Sequence, residues 1–418
     1  MQLPAAPKAS TINASVLYGP RDLRMTREKR SIEDPGLGEL QIAVHTTGIC
    51  GSDVSYYKKF ANGDLCACMP LSLGHESSGT VVAIGPQVSG FSIGDRVALE
   101  VGIPCGQCGI CRQGRYNLCK RMRFRSSAKS VPHFQGTLQD RINHPAVWCH
   151  KLPDNISFDA AALLEPLSVA IHAVNRAQPT PGSSALVLGA GAVGLLTAAM
   201  ARQSGCSTVT IADVDRGRVD FALAKGFATH GYVVPPSSST SSSSSSLYTP
   251  APAPPALPPP LRPSQHPLLP SPTRLRQIPR RGNARCLLAL PNNPMFFPDD
   301  DEEADGVNTT FECTGKEICT HTALYATRAG GKVILVGMGT PVQTLSLSVA
   351  HLREIDILGI FRDMGNGMGA GAGFVLPKLD DMVTHRFKGL ENAGRAFELA
   401  SRTVDGEGGL VVKVVIEA

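Results

Sequence analysis

The hexapeptide Gly189-Ala190-Gly191-Ala192-Val193-Gly194 follows the apolar run Ala185-Leu186-Val187-Leu188 and opens a run of helix formers from Val193 to Gln203. A second apolar run, Val209-Thr210-Ile211-Ala212, ends at Asp213. That order leaves a chain few options: strand, tight glycine turn, helix and second strand begin a doubly wound parallel sheet of an α/β protein. Gly189 permits the sharp turn, Gly191 lets a pyrophosphate approach the backbone, and Gly194 lets helix and strand pack closely. Unpaired N–H groups at the helix start favour phosphates. The expected ligand is a dinucleotide bound at Gly189, Gly191, Val193 and Gly194. Asp213 would accept hydrogen bonds from the adenosine ribose hydroxyls and repel a 2′-phosphate, which favours NAD over NADP. Arg218 could cover the adenine face.

The sheet resumes far downstream, at Thr309-Thr310-Phe311-Glu312-Cys313 and Lys332-Val333-Ile334-Leu335-Val336. Between the two halves, residues 235–303 begin with a serine tract, continue with prolines and arginines, and close on Asp299-Asp300-Asp301-Glu302-Glu303. More than half of the chain's prolines lie there. Proline at that density denies hydrogen bonds to helix and sheet alike, so the expectation is a disordered loop projecting from the nucleotide domain. Upstream, residues 10 to 100 alternate short β-branched runs with Gly, Pro and Asp, as in Leu40-Gln41-Ile42-Ala43-Val44 and Gly79-Thr80-Val81-Val82-Ala83-Ile84-Gly85. This pattern reads as an antiparallel, barrel-like β domain. A chain of 418 residues has room for about two such domains.

Charge excludes one class of partner. The formal net charge is +5, but residues 235–298 hold six arginines and no Asp, Glu or Lys, so the remainder carries 34 basic against 35 acidic groups. No basic face is left to the folded part, and nucleic-acid binding is not expected. No membrane span is expected either, because the uncharged apolar stretch Ser183 to Ala201 is interrupted by Gly189, Gly191 and Gly194. The first residues lack the charged start and apolar run of a signal peptide, which points to the reducing cytoplasm. Twelve cysteines in that setting are ligands and free thiols.

Four of them, Cys105, Cys108, Cys111 and Cys119, stand in the spacing C-x2-C-x2-C-x7-C within a lobe spanning 104–120. Four thiolates in reach of one tetrahedral ion make a closed, structural zinc site; disulfides and an iron-sulfur cluster are the alternatives. Cys50, His75 and Glu76 are also zinc-ligand types, and as a set of three they leave a coordination position open, the mark of a catalytic ion. Glu165, at the junction of the two domains, could bind that metal or its water. Asp53 could orient His75, and Ser52 could take the proton from a bound alcohol. Zinc beside a nicotinamide suggests redox chemistry at a carbon bearing oxygen: the ion lowers the pKa of a bound hydroxyl and the ring accepts the hydride.

The segments G-I-C-G-S-D (48–53), G-H-E-S-S-G (74–79), the cysteine lobe, E-P-L-S-V-A-I-H-A (165–173) and V-T-H-R-F (383–387) resemble the zinc-containing medium-chain alcohol dehydrogenase family. Within it they are similar to the sorbitol (L-iditol), xylitol and L-arabinitol dehydrogenase branch of fungal type. The resemblance implies a GroES-like β domain over 1–165 and a Rossmann domain over 166–358, interrupted by the insertion. Residues 359–418 would return to the β domain, and the chain would form a homo-oligomer, a dimer or tetramer. It further implies two zinc ions and NAD per chain, with Tyr56, Phe124 and Arg362 lining a polyol pocket. The implied reaction is oxidation of a secondary hydroxyl of a sugar alcohol to a ketose. A related zinc alcohol or threonine-type dehydrogenase, or a silent NAD- and zinc-binding paralogue with a partner-binding loop, is the alternative. Two departures stand out. Ser55 lies where relatives commonly carry His, and glycines crowd 363–373, where a helix is not expected.

Overall fold

The computed structural model describes residues 10–235, 306–362 and 376–418. The insertion 235–303, apart from Pro235, and the segment 363–373 therefore lie outside the described residues. The chain opens with a hairpin of β1 (Ser10–Gly19) and β2 (Asp22–Ile32). Next come β3 (Glu39–Gly48), α1 (Gly51–Lys59), β4 (Glu76–Ile84), β5 (Arg96–Leu99), β6 (Arg141–Pro145) and β7 (Cys149–Lys151). Their strands are antiparallel, with β3 flanked by β4 and also paired to β6. The inward positions Leu40, Ile42, Val44, Val81, Val97 and Leu99 alternate with outward ones and form one buried cluster, as a strand period of two requires.

Helix α2 (Leu164–Ala177) carries the chain into the second sheet. That sheet contains β8 (Ser184–Leu188), β9 (Thr208–Asp213), β10 (His230–Val233), β11 (Val307–Glu312), β12 (Thr327–Leu335) and β13 (Asp356–Gly359). All six are parallel, in the spatial order β10-β9-β8-β11-β12-β13. The direction of winding reverses between β8 and β11, and ligands of such sheets bind in the crevice outside the strand ends there. Helix α3 (Ala192–Gln203) is buried on nearly every side from Gly194 to Ala201, which suits its apolar composition. It starts one residue before the sequence run suggests. Strand β12 starts earlier than its apolar core, at Thr327, and a register shift between Val307 and Thr309 accommodates the extra residues.

The last segment contributes β14 (Val383–Lys388), α4 (Ala393–Ala400) and β15 (Lys413–Glu417). Strand β15 pairs antiparallel with β3, placing Val415 opposite Gly48, so the end of the chain completes the first sheet. Strand β14 runs parallel to β15, whereas the other described pairs of this sheet are antiparallel. Val414 and Ile416 join one buried cluster with Leu17, Tyr56 and Leu71, whereas Val415 joins another with Val187, Leu195 and Ile211. Alternate side chains of this single strand thus weld the two halves of the molecule together.

Candidate active site and metal centres

Cys50 is the N-cap of α1, and Asp53, three residues on, accepts from the Cys50 N–H at 3.3 Å. This capping box fixes where the Cys50 thiol points. Gly74 precedes His75 with a φ of +93°, and a Cβ there would meet Thr47 at 2.6 Å and Thr137 at 2.8 Å. Only glycine makes this turn, which explains the first letter of G-H-E. Donor atoms of Cys50, His75 and Glu76 lie within 4.8 Å of one another. Asp53, 1% exposed, receives His75 Nδ1 at 3.2 Å and the Gly74 N–H at 3.3 Å through the same oxygen. Nε2 of His75 is thereby turned toward the donor set, with Ser52 Oγ 3.5 Å away. Burial opposes charge on the imidazole, yet Asp53 and Cys50 beside it hold its pKa well above the usual value. The pocket is electronegative and fits a cation; zinc takes these donor types and keeps an open position in such sites.

Sequence reasoning missed two groups here. Ser126 Oγ donates to Asp53 Oδ1 at 2.6 Å, reaching the site from a backbone with φ of +61°. Lys413, on β15, forms a buried ion pair with Glu76. Neither has a spacing signal, since both arrive by tertiary pairing. Glu165 stands in the first turn of α2, buried, outside the group of three but within electrostatic reach of Lys413.

Around the donors, the Phe124 ring lies 5.5 Å from the His75 ring, and the Arg362 guanidinium stacks 4.1 Å over Phe124. Tyr56 is 2% exposed, and its hydroxyl accepts from the Ala128 N–H at 3.1 Å. Ser55 donates to the Ala61 carbonyl at 2.9 Å and is thereby engaged. A cleft of about 460 Å³ runs between Gly51, Ser52, Ser55 and Lys59 on one wall and Thr314 to Lys316 with Met338 to Pro341 on the other. The second wall is built by Glu312, whose buried carboxylate accepts from the Thr314 and Gly315 N–H groups at 2.7 and 3.0 Å. Burial pushes that carboxyl up, against the pull of those bonds.

At the glycine turn, Gly189 has a φ of +99° and a Cβ on Gly194 would sit 1.8 Å from the Gly189 carbonyl oxygen. The space beside Gly191 is open, with Arg218 the nearest group at 3.9 Å from a built Cβ. That cradle fits a pyrophosphate at the start of α3, whose first turn includes Val193. Asp213 accepts from the Ala190 N–H at 2.7 Å and the Asp215 N–H at 2.9 Å, one bond per oxygen, so its remaining lone pairs are held in a fixed direction. Arg218 donates to the Val411 carbonyl at 3.0 Å, tying this turn to the C-terminal segment.

In the lobe, Cys105, Cys108, Cys111 and Cys119 also hold their sulfurs within 4.8 Å of one another. The Cys108–Cys111 and Cys105–Cys111 separations are 3.4 and 3.9 Å. Tetrahedral zinc with bonds of about 2.3 Å needs sulfurs about 3.8 Å apart, whereas a disulfide needs about 2 Å. The lobe therefore fits zinc. Backbone N–H groups of Gln107 and Cys108 lower the Cys105 thiol to about 6, favouring the thiolate a metal takes.

Fold and site together define a zinc-dependent dehydrogenase that acts on CH–OH groups with a nicotinamide cofactor. Residues 36–154 match the alcohol dehydrogenase GroES-like domain. The chain is 34% identical to sorbitol dehydrogenase of Arabidopsis thaliana over 88% of its own length and 87% of the relative's. It is 33% identical to L-idonate 5-dehydrogenase of Vitis vinifera, covering 91% and 89%. The solved L-idonate 5-dehydrogenase of Escherichia coli shares the fold, with a TM-score of 0.75 and 22% identity over 99% of this chain and 100% of that one. The chain belongs to the zinc-containing medium-chain alcohol dehydrogenase family, in its sorbitol dehydrogenase branch.

Proposed function

We propose that the protein oxidises a secondary hydroxyl of a sugar alcohol, such as sorbitol, xylitol or L-arabinitol, to the ketose, with NAD as acceptor. The observation that carries this reading is the donor set Cys50, His75 and Glu76 beside Gly51 and Ser52, which line one wall of a cleft whose other wall includes Thr314, packed against the glycine turn at Gly189. When bound, zinc supplies the Lewis acidity that lowers the pKa of the reacting hydroxyl, and NAD accepts the hydride. His75, held by Asp53, and Cys50, held at the helix start, fix the metal's position; Glu76 completes the set. Glu165 stands close enough in charge to influence the site and is the second carboxylate of the reading. Ser52 Oγ is placed to receive the hydroxyl proton and pass it to the open cleft, a route that does not need Ser55. Phe124 covers one face of the site, and Arg362 offers hydrogen-bond donors to the substrate's remaining hydroxyls, with Tyr56 buttressing from the core.

Support for NAD over NADP comes from the fixed Asp213 carboxylate, which matches ribose hydroxyls and repels a phosphate. The four-sulfur lobe is read as the second, structural zinc. The eleven described cysteines form no disulfide, five of them being the metal donors, which suits the reducing cytoplasm, and no described helix is long and apolar enough to cross a membrane. Self-association through the outer edge of β13 is the assembly favoured, because among the described residues that strand is paired on one side only and Leu347 and Leu352 are exposed nearby.

One observation favours a second substrate class. Lys129 and Arg362 are close enough for the guanidinium to depress the lysine's pKa, after burial has done the same. Two neighbouring cations, one of them the Arg362 stacked over Phe124 beside the donor set, suit the carboxylate of a sugar acid. NADH absorbance after adding sorbitol, xylitol, L-arabinitol or L-idonate decides: turnover of a polyol supports the first reading, turnover of the acid alone the second, and NAD binding without turnover overturns both.

A further inference from the structure

The pair between Lys413 and Glu76 occupies an unusual place, because Glu76 belongs to the metal-donor set while Lys413 comes from the last strand. The two side chains are 4% and 1% exposed. Gly48, opposite Glu76 on the neighbouring strand, makes room for them: a Cβ there would stand 2.4 Å from Glu76 Oε2 and 3.1 Å from Lys413 Cε. Cys50 and Glu165 also act on the ammonium electrostatically. The ammonium lies against Oε2 as an ion pair, which leaves the carboxylate's other lone pairs for a further cation.

Anionic donors gathered out of water repel one another, and a buried carboxylate without a counter-charge is costly. A resident positive charge offsets part of that cost before the metal arrives. We propose that Lys413 is the surrogate cation of the catalytic metal site: it holds Glu76 in place and offsets the donors' charge while the site is empty. The proposal rests on the zinc-dehydrogenase reading of Cys50, His75 and Glu76, and it makes Lys413 a positioning residue. Folding, through the pairing of β15 with β3, delivers the lysine and assembles the donors; the metal then enters a finished pocket against a resident positive charge. Removing that charge has two opposite effects. The empty site loses its compensation, while the filled site loses a repulsion.

The test uses full-length Lys413→Met, Lys413→Gln and Lys413→Arg. The glutamine variant keeps a hydrogen-bond donor for Glu76 and removes only the charge, which preserves folding if methionine does not. Thermal midpoints are measured with zinc loaded and after stripping, and zinc release is followed with a chromogenic chelator. His75→Ala identifies the release phase that belongs to the catalytic site. In the neutral variants the stripped protein should lose at least about twice as many degrees as the loaded one, and catalytic-site release should slow about tenfold. Lys413→Arg should restore wild-type values. Equal falls in both forms, or faster release, would overturn the proposal and leave Lys413 a packing residue. If His75→Ala removes no zinc, the metal-site reading itself fails, independently of Lys413.

Discussion

Asp53 divides its two oxygens between the Cys50 N–H on one side and His75, Gly74 and Ser126 on the other. Orientation of the imidazole thus depends on a hydroxyl that never touches the metal donors. Ser126→Ala removes a 2.6 Å bond to a buried carboxylate, and groups behind metal ligands commonly alter affinity or rate by about 10–100-fold. We expect turnover to fall by about that factor while the thermal midpoint moves little, as steady-state kinetics beside a melting curve would show. The two metal centres should respond differently. Metal analysis of fresh protein is expected to give two zinc ions per chain. His75→Ala should retain one and lose turnover while folded, whereas Cys108→Ser should lose the lobe's ion and melt earlier, because a structural site contributes folding free energy. At the cofactor, Asp213→Ser should shift preference toward NADP, read as the ratio of kcat/KM for the two cofactors. Cys50, His75, Glu76 and the four lobe cysteines were legible in the sequence because ligation restricts residue type and short spacing. Ser126 and Lys413 were not, since nothing local distinguishes a serine in a loop or a lysine on a strand until tertiary pairing brings it in.

Among elements, the glycine turn with its strand and helix is the most fully encoded. Gly194→Ala would press a methyl 1.8 Å from the Gly189 carbonyl oxygen, so α3 must move off β8. NAD affinity, measured by titration calorimetry, should fall steeply together with the thermal midpoint; an unchanged pair of values would show that the turn relaxes at no cost. Here pattern and packing agree, because a buried strand and a helix apolar on most sides both read directly from composition. The pairing of β14 with β15 illustrates the reverse. Alternation along Lys413–Glu417 reveals which residues are inward but carries no information about strand direction. That direction follows from the excursion through α4, which returns the chain to the same end of the sheet.

At the scale of the molecule, the sequence separated two sheets correctly in kind but not the manner of their union, which rests on which cluster each side chain of β15 enters. Replacing residues 235–298 with a short Gly-Ser linker should leave NAD affinity and thermal midpoint almost unchanged, since loop closure costs only about 0.6 kcal/mol more per doubling of length. Loss of NAD binding in that variant would mean the segment packs on the fold. Light scattering should report a dimer or tetramer, and Leu352→Glu, at a residue 82% exposed beside the open edge of β13, should shift it toward monomer. The split of the parallel sheet carries a further consequence. Everything described before residue 236 lacks β11, the second neighbour of β8, and β15, a neighbour of β3, while the residues after 305 hold both, with β12 and β13 beside β11 and β14 beside β15. Two separately synthesised polypeptides, divided within that interval, would each be an unfinished surface waiting for the other. The enzyme is therefore a natural candidate for a split reporter, dark as halves and active only when co-expression lets the halves find their partner edges.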